Sequence, residues 1–398
     1  MKIEEGIQGD LFALPAFESL SSLLVDDGKP PIIVIGCGRH KKKSPTRASE
    51  LYTSDRFKIS RAIATNIGAD FFVLSARHGL LEPNQIIEPY DVEISALNEQ
   101  EKNQWADSVL RSISSFRDGA TVTILAEKDY ALPLINRNSP DHRIKIQAPF
   151  SELSPEHIPL WLKQAERVSV RIRDLKKLYM YIDVARKEKL TFKFSELPSR
   201  KLAKRGVYIF LDPREKNFLK NGPRIVRIGT HAVSLESKST LKTRLRSHFG
   251  QMDGGGNHRG SIFRLHVGRA LLESKELDFQ RDSWGEGQYA PIEIREGEVE
   301  LERKVSIYLS DLEVFVIPID DEPSKDSLRA HIETQLIALC TENFEPIDTS
   351  EPKWLGHHSP MSPIVKSGLW NLRDVAKKYK PDDLGSVAHL ISLQENLK

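Results

Sequence analysis

Gly206-Val207-Tyr208-Ile209-Phe210-Leu211 and Ile225-Val226-Arg227-Ile228-Gly229 are two apolar, β-branched runs, separated by Asp212-Pro213 and Asn221-Gly222-Pro223. Proline presets φ for a turn, and asparagine and glycine accept positive φ, so the runs predict an antiparallel hairpin. Ser239-Thr240 then open a basic segment, Leu241-Lys-Thr-Arg-Leu-Arg-Ser-His-Phe249. Small polar residues before periodic apolar ones predict a helix start. Arg244 and His248 stand four apart on one face of that helix, so both can reach the same phosphate.

Upstream the pattern changes. Pro31 to Ile35, Phe71 to Leu74 and Val122 to Leu125 are continuous apolar runs, as expected of strands buried on both faces in a parallel sheet. A helix is predicted between the first two, from Thr53-Ser54-Asp55 to a stop at Gly68. Ligands of open parallel sheets gather beyond the carboxyl ends of the strands. There the sequence places Cys37, Arg39, His40 and Lys41 to Lys43, then Ser75, Arg77 and His78, then Glu127, Lys128 and Asp129. These groups suit an anion such as a phosphate. A cysteine ending a buried strand reads as a packed residue or a ligand contact rather than a nucleophile.

At 398 residues the chain is expected to form two domains. The net charge is only +2, but residues 163–205 carry fourteen Lys/Arg against five Asp/Glu. That segment reads as a basic connector, with a helix over Ile172 to Ala185 and a non-core approach from Leu190 to Arg205. Two cysteines exclude a disulfide scaffold, and no Cys/His cluster has zinc spacing. The polar N-terminus and the lack of a long apolar run lead us to expect a soluble cytoplasmic protein.

The tripeptides Gly206-Val207-Tyr208 and Arg227-Ile228-Gly229, with the basic helix after them, resemble the GIY-YIG nuclease core. The resemblance covers about residues 206 to 385. It implies an α+β domain that cuts phosphodiester bonds with Mg²⁺ or Mn²⁺. It further implies that Glu333, in His331-Ile-Glu-Thr-Gln-Leu-Ile337, holds the metal, and that Asn371 completes the site, with Asn343 as its competitor. Tyr208, Arg244, His248 and Glu333 are then the catalytic set. A metal held by one carboxylate can polarise the scissile phosphate, and Arg244 can donate to the non-bridging oxygens. Arg227 stands where the family has tyrosine and cannot act as a base at neutral pH, so Tyr208, His231 or His248 would take the proton. Nucleic-acid contacts are expected from Arg227, His231, Asn371 and from Asn257, His258 and Arg259 in the loop Gly254-Gly-Gly-Asn-His-Arg-Gly-Ser261. The tract Leu277 to Arg303 reads as polar, with little core character.

In the first half, Cys37, Lys43, Glu50-Leu51-Tyr52-Thr53-Ser54, Leu74-Ser75-Ala76-Arg77-His78-Gly79 and Glu88-Pro89-Tyr90-Asp91 are similar to a bacterial domain of poorly defined function allied to the YaaA-like proteins. That resemblance implies a Rossmann-like nucleotide- or base-binding domain. Cys37, Ser75, Arg77 and Tyr90 are among its signature positions, and Lys43, His78 and Lys128 are expected beside them at the ligand.

The sequence thus predicts an α/β N-terminal domain with a parallel sheet and an α+β GIY-YIG nuclease-like C-terminal domain. The expected divisions are an arm at 1–30, a first domain at 31–162, a connector at 163–204 and the nuclease-like domain at 205–398. The expected activity is metal-dependent DNA cleavage, with the first domain recognising the DNA or a modified base in restriction or phage defence. One alternative is a DNA glycosylase whose abasic product the second domain nicks, with Glu50, Glu82 or Asp91 as the carboxylate. The other is a non-catalytic nucleic-acid-binding protein with a degenerate nuclease fold. DNA is the expected partner, and the sequence is compatible with a homodimer.

Overall fold

The computed structural model describes residues 30–381 apart from 117, 252, 275–282 and 288, so the expected arm at 1–30, all but its last residue, and the last residues of both the resemblance and the second expected domain lie outside the described residues. The chain divides into two compact units, Met1–Arg173 and Asp174–Lys398.

In the first unit the strands are β1 (Ile32–Gly36), β2 (Thr46–Arg47), β3 (Asp70–Ser75), β4 (Gly79–Leu81), β5 (Ile86–Ile87), β6 (Thr121–Leu125) and β7 (Lys145–Gln147). A five-stranded sheet runs β4-β3-β1-β6-β7, and β2 pairs with β5 separately. β3, β1, β6 and β7 are parallel, whereas β4 folds back antiparallel on β3. The expected parallel sheet is therefore a mixed one. Gly79, at φ 69°, lets the chain reverse straight after β3.

Helix α1 (Asp55–Ile67) forms as its ends direct. The Ser54 side chain accepts from the Phe57 N–H, and Gly68 closes the helix in the left-handed region. Helix α2 (Glu99–Ser114) starts with a capping box between Asn98 and Glu101. It buries Trp105, Val109, Leu110 and Ile113 in the same core as Ile32, Val34, Val122 and Ile124. Helix α3 (Lys128–Arg137) follows β6 directly.

Helix α4 (Ile158–Lys187) is longer than the expected Ile172 to Ala185 and contains the division between the units. The segment after it is not a mere approach. Phe192 and Lys193 form β8, which pairs with β11 (Glu313–Pro318), and Phe192, Phe194 and Leu197 belong to the core of the second unit.

That unit holds the predicted hairpin, β9 (Gly206–Lys216) and β10 (Pro223–Gly229), in an antiparallel sheet ordered β10-β9-β11-β8. Helix α5 (Leu241–Phe249) is capped by the Thr240 side chain. It is followed by α6 (Ile262–Glu273), α7 (Ile292–Ser310) and α8 (Leu328–Thr341). α7 overturns the reading of residues 277–303 as lacking core character. Leu301 and Val305 are fully buried, Trp284 nearly so, and Glu298 and Glu302 are buried with them.

Candidate functional site

Tyr208 of β9 lies directly opposite Gly229 of β10 in the ladder. A Cβ at Gly229 would come within 2.3 Å of the Tyr208 hydroxyl and 2.4 Å of Cζ, so only glycine lets the ring lie flat across the neighbouring strand. The first glycine is constrained in the same way, because a Cβ at Gly206 would meet the Ile317 carbonyl at 2.4 Å. The ladder slips by one residue between Ile225 and Arg227, a bulge that sets Arg227 opposite Phe210. Arg227 and Gly229 therefore share the face that carries Tyr208 and Phe210.

On that face the Tyr208 hydroxyl is 3.0 Å from Nε2 of His248, and Nδ1 of His248 is 2.6 Å from the Ser261 hydroxyl. Ser261 also caps α6 by accepting from the Arg264 N–H. Burial, with the positive charges of Arg227, Arg244 and Arg264, drives the His248 pKa well below the usual histidine range. The imidazole is thus neutral at pH 7, with both nitrogens committed. It holds the phenol in one orientation.

Glu333 projects from α8 to the end of β10, where one carboxyl oxygen accepts the Thr230 N–H at 3.2 Å. Leu336 and Ile337 pack inward on the same helix, each 1% exposed. Burial raises the Glu333 pKa to about 7, against the opposing pull of the Arg227 and Arg244 charges, while Asp374 adds to the rise. Arg244 projects from α5 half-buried, and its guanidinium has no hydrogen bond or ion pair among the described residues. Its charge acts on Arg227, His231, His248 and Glu333 alike. One electrostatic neighbourhood therefore holds Tyr208, Arg227, His231, Arg244, His248 and Glu333.

The expected nucleic-acid contacts divide. Arg227 is buried: its guanidinium donates to the Trp370 carbonyl and lies 4.8 Å from the Phe263 ring centre. His231 is 5% exposed, and neither ring nitrogen has a hydrogen-bond partner. Burial and the charges of Arg329, Arg244 and Arg205 lower its pKa to about 4. Asn371 is spent on the fold, accepting from the Ile228 N–H at 3.1 Å and donating to the Ile228 carbonyl at 2.8 Å. With Trp370 N–H on the Val226 carbonyl, it closes the outer edge of β10. Asn343, its competitor, is exposed in a left-handed turn after α8.

The glycine-rich loop differs most from expectation. His258 is 1% exposed, with Nδ1 on Glu302 at 3.0 Å, Nε2 on the Gly285 N–H at 3.0 Å and the ring stacked on Trp284. Arg259 forks onto Glu298 at 2.6 and 3.0 Å and also donates to the carbonyls of Ser283, Glu286 and Gly287. Arg264 is fully buried on Glu302 and Ser306. The two residues tie α6 and the turn before it to α7: Arg264 spends all its donors within the fold, and Arg259 keeps a single Nη1 hydrogen uncommitted. Asn257, exposed, caps this turn by accepting from the Arg259 N–H.

A buried histidine escaped the sequence reading. His266 of α6 is 2% exposed with neither nitrogen bonded, and burial with the Arg227 and Arg269 charges lowers its pKa to about 4. Nothing in its local sequence marks it.

The first unit has its own cavity, about 500 Å³, beyond the ends of β1 and β6. β1 and β6 flank the point where strand order reverses, the usual place for a ligand in such sheets. Cys37 lines the cavity with its sulfur 3.1 Å from the Tyr130 hydroxyl. Ser75 and Tyr90 are buried and bonded to each other at 2.7 Å, and Tyr90 continues to Tyr52 at 2.7 Å. Burial pushes the phenols of Tyr52, Tyr90 and Tyr130 upward, so all three stay neutral. Lys43, Arg77, His78 and Lys128 are exposed and do not line this cavity. Of the seven residues expected at the ligand, only Cys37 does.

No described helix is long and apolar enough to cross a membrane, and no cluster of three or more His, Cys, Asp or Glu suited to a metal occurs among the described residues. No curated protein and no solved structure matches the chain. Residues 32–164 match a family of unknown function, DUF6884, which is what the similarity of the first half amounts to. Residues 169–397, more than half of the chain, match the GIY-YIG domain, and the sheet, the interlocked glycines and the Tyr208 face lie within that match: the chain belongs to the GIY-YIG family.

Proposed function

We propose that the second unit is a metal-dependent endonuclease that cuts DNA phosphodiester bonds, and that the first unit recognises the DNA or a modified base in it, as in restriction or phage defence. The observation that carries the reading is the unpaired Arg244 guanidinium beside Glu333. A free guanidinium at a half-buried site is costly unless an anion completes it, and its planar fork matches phosphate oxygens.

Glu333 fits a divalent cation. Its carboxyl is buried enough to ionise reluctantly, and a cation supplies the charge that would ionise it. Mg²⁺ tolerates few protein ligands and keeps its waters, so a single carboxylate suits it. When bound, the metal would polarise the phosphate and neutralise the leaving oxygen. The chain's own residues do the rest. Arg244 would hold the non-bridging oxygens, worth about 10²–10³ in rate for one such donor. Tyr208 would relay the proton of the attacking water, taking it on the phenol oxygen while its own proton passes to Nε2 of His248. Ser261 fixes the His248 ring, and Arg227, held by Trp370, adds positive charge behind the phenol.

The test is nicking of unmodified and base-modified plasmid with Mg²⁺ or Mn²⁺ by wild type, Glu333→Gln and Arg244→Ala. Nicking that persists in Glu333→Gln refutes the metal assignment. The buried Arg227 favours a second reading, a nucleic-acid-binding protein with a silent nuclease fold. Tight DNA binding without nicking of any substrate selects it.

A further inference from the structure

We infer that the cavity of the first unit takes a neutral nucleobase with its sugar, not a phosphate group, and that the Tyr130 hydroxyl donates to an acceptor on that base. The inference rests on the reading that this unit recognises bases in DNA.

Two of the three Lys/Arg side chains at the cavity are already held by carboxylates, which disfavours an anion. Arg39, Lys41 and Arg56 line the cavity against Glu93, Glu127 and Asp129. Arg39 is tied to Glu93 at 2.7 Å, and Arg56 is tied to Glu127. Lys41 donates to the Arg39 carbonyl and lies 4.7 Å from the Tyr90 ring centre. A phosphate dianion would have to displace carboxylates already paired with the cations it needs, whereas a neutral ring leaves both pairs intact. The walls between them include Phe57, Val92, Ile94 and Leu125, which suit a planar, partly apolar guest. At about 500 Å³ the space falls in the range of small-molecule sites.

A count of protons supplies the donor. Ser75 Oγ accepts from the N–H groups of Arg77 and His78, so its own proton goes to Tyr90. Cys37 and Tyr130 share one hydrogen bond but own two protons. Both side chains line the cavity, so whenever the thiol donates, to Tyr130 or to Tyr90 beside it, the Tyr130 proton is free for a ligand. A phenol is the stronger donor, so with a guest bound the thiol donates to the Tyr130 oxygen and the phenol proton turns to the ligand. The acceptor it meets is a ring nitrogen or carbonyl oxygen of the base.

The chain carries its own probe. Cys37 is partly exposed and Cys340 is buried, so iodoacetamide alkylation read by mass reports on the cavity with an internal slow reference. Full-length protein is treated with thymidine, deoxyguanosine, thymidine monophosphate, inorganic phosphate, or a mismatched duplex. Protection of Cys37 by free nucleosides supports a soluble guest, and protection by the duplex alone supports a base extruded from a strand. Stronger protection by phosphate or the monophosphate than by thymidine overturns the inference, as does no protection by any nucleoside or duplex. Tyr130→Phe, which keeps the ring, should weaken nucleoside protection about fivefold to tenfold; unchanged protection overturns the donor assignment. Plasmid nicking is read in the same samples, so loss of protection with nicking intact defeats this inference while leaving the nuclease reading standing.

Discussion

The Tyr208 site of the second unit and the cavity of the first are built from opposite materials. The Tyr208 site leaves a guanidinium, Arg244, without a partner and keeps a carboxyl, Glu333, hard to ionise, beside histidines held neutral. The cavity ties Arg39 and Arg56 to carboxylates and has hydroxyl and thiol groups beside them. Unpaired charge prepares a site for a charged guest, and paired charge over neutral donors prepares one for an uncharged guest.

The largest effect that would break this contrast is at Glu333. Glu333→Gln should abolish nicking while raising stability at alkaline pH. The folded-state pKa of about 7 lies above the unfolded value of 4.5, so the carboxyl's stabilising contribution is full below pH 4.5 and is lost as pH rises through 7. The variant, which cannot ionise, should therefore outlast wild type in urea at about pH 8, by up to about 3 kcal/mol. Equal stability at that pH would show that the carboxyl is not strained. Wild-type nicking should rise with pH through the same range.

Arg244→Ala should slow cleavage about 10²–10³-fold and leave the melting temperature unchanged, because the side chain bonds to nothing in the fold. Arg227→Ala should do the reverse in kind, destabilising the unit by about 2–4 kcal/mol through the lost Trp370 bond and Phe263 contact. If Arg244→Ala melts early instead, the unpaired charge is structural and the comparison fails.

The histidines give a pH signature of opposite sign to Glu333. His231 and His266 have folded-state pKa values of about 4 against 6.5 unfolded, so their contribution is full above pH 6.5 and lost as pH falls towards 4. His266→Leu should recover about 2 kcal/mol relative to wild type at about pH 5. Urea melts at the two pH values measure it. The smallest effect falls in the first unit. Ser75→Ala removes the acceptor for two N–H groups and one link to Tyr90, and should cost about 1–2 kcal/mol without altering nicking.

Local signals explain what could be read in advance. The hairpin followed from its turn residues, and α1 from Ser54 and Gly68, because caps and turns act within a few residues. His248 is legible from the helical spacing of the basic segment, whereas Tyr208 and Glu333 are legible only through the family resemblance. What was misread depends on distant partners. Arg259 and Glu298 are 39 residues apart, and Arg264 and Glu302 are 38 apart. Each alone looks solvated, and only the pairing makes burial affordable. For that reason 254–261 read as a free basic loop and 277–303 as polar tract. Two-residue β8 has no period to detect, and the charge pairing of the cavity was invisible because Glu93 and Arg39 lie far apart in the chain.

The interlock of Gly229 with the Tyr208 ring has an evolutionary consequence. The contact forbids a side chain at 229 through the ring carbon as well as through the hydroxyl, so the glycine would be retained even in a descendant that had replaced the tyrosine by phenylalanine and lost all chemistry. The tripeptides therefore record ancestry and packing. Arg244, which bonds to nothing in the fold, is the residue that drift would erase first once a descendant no longer used the site.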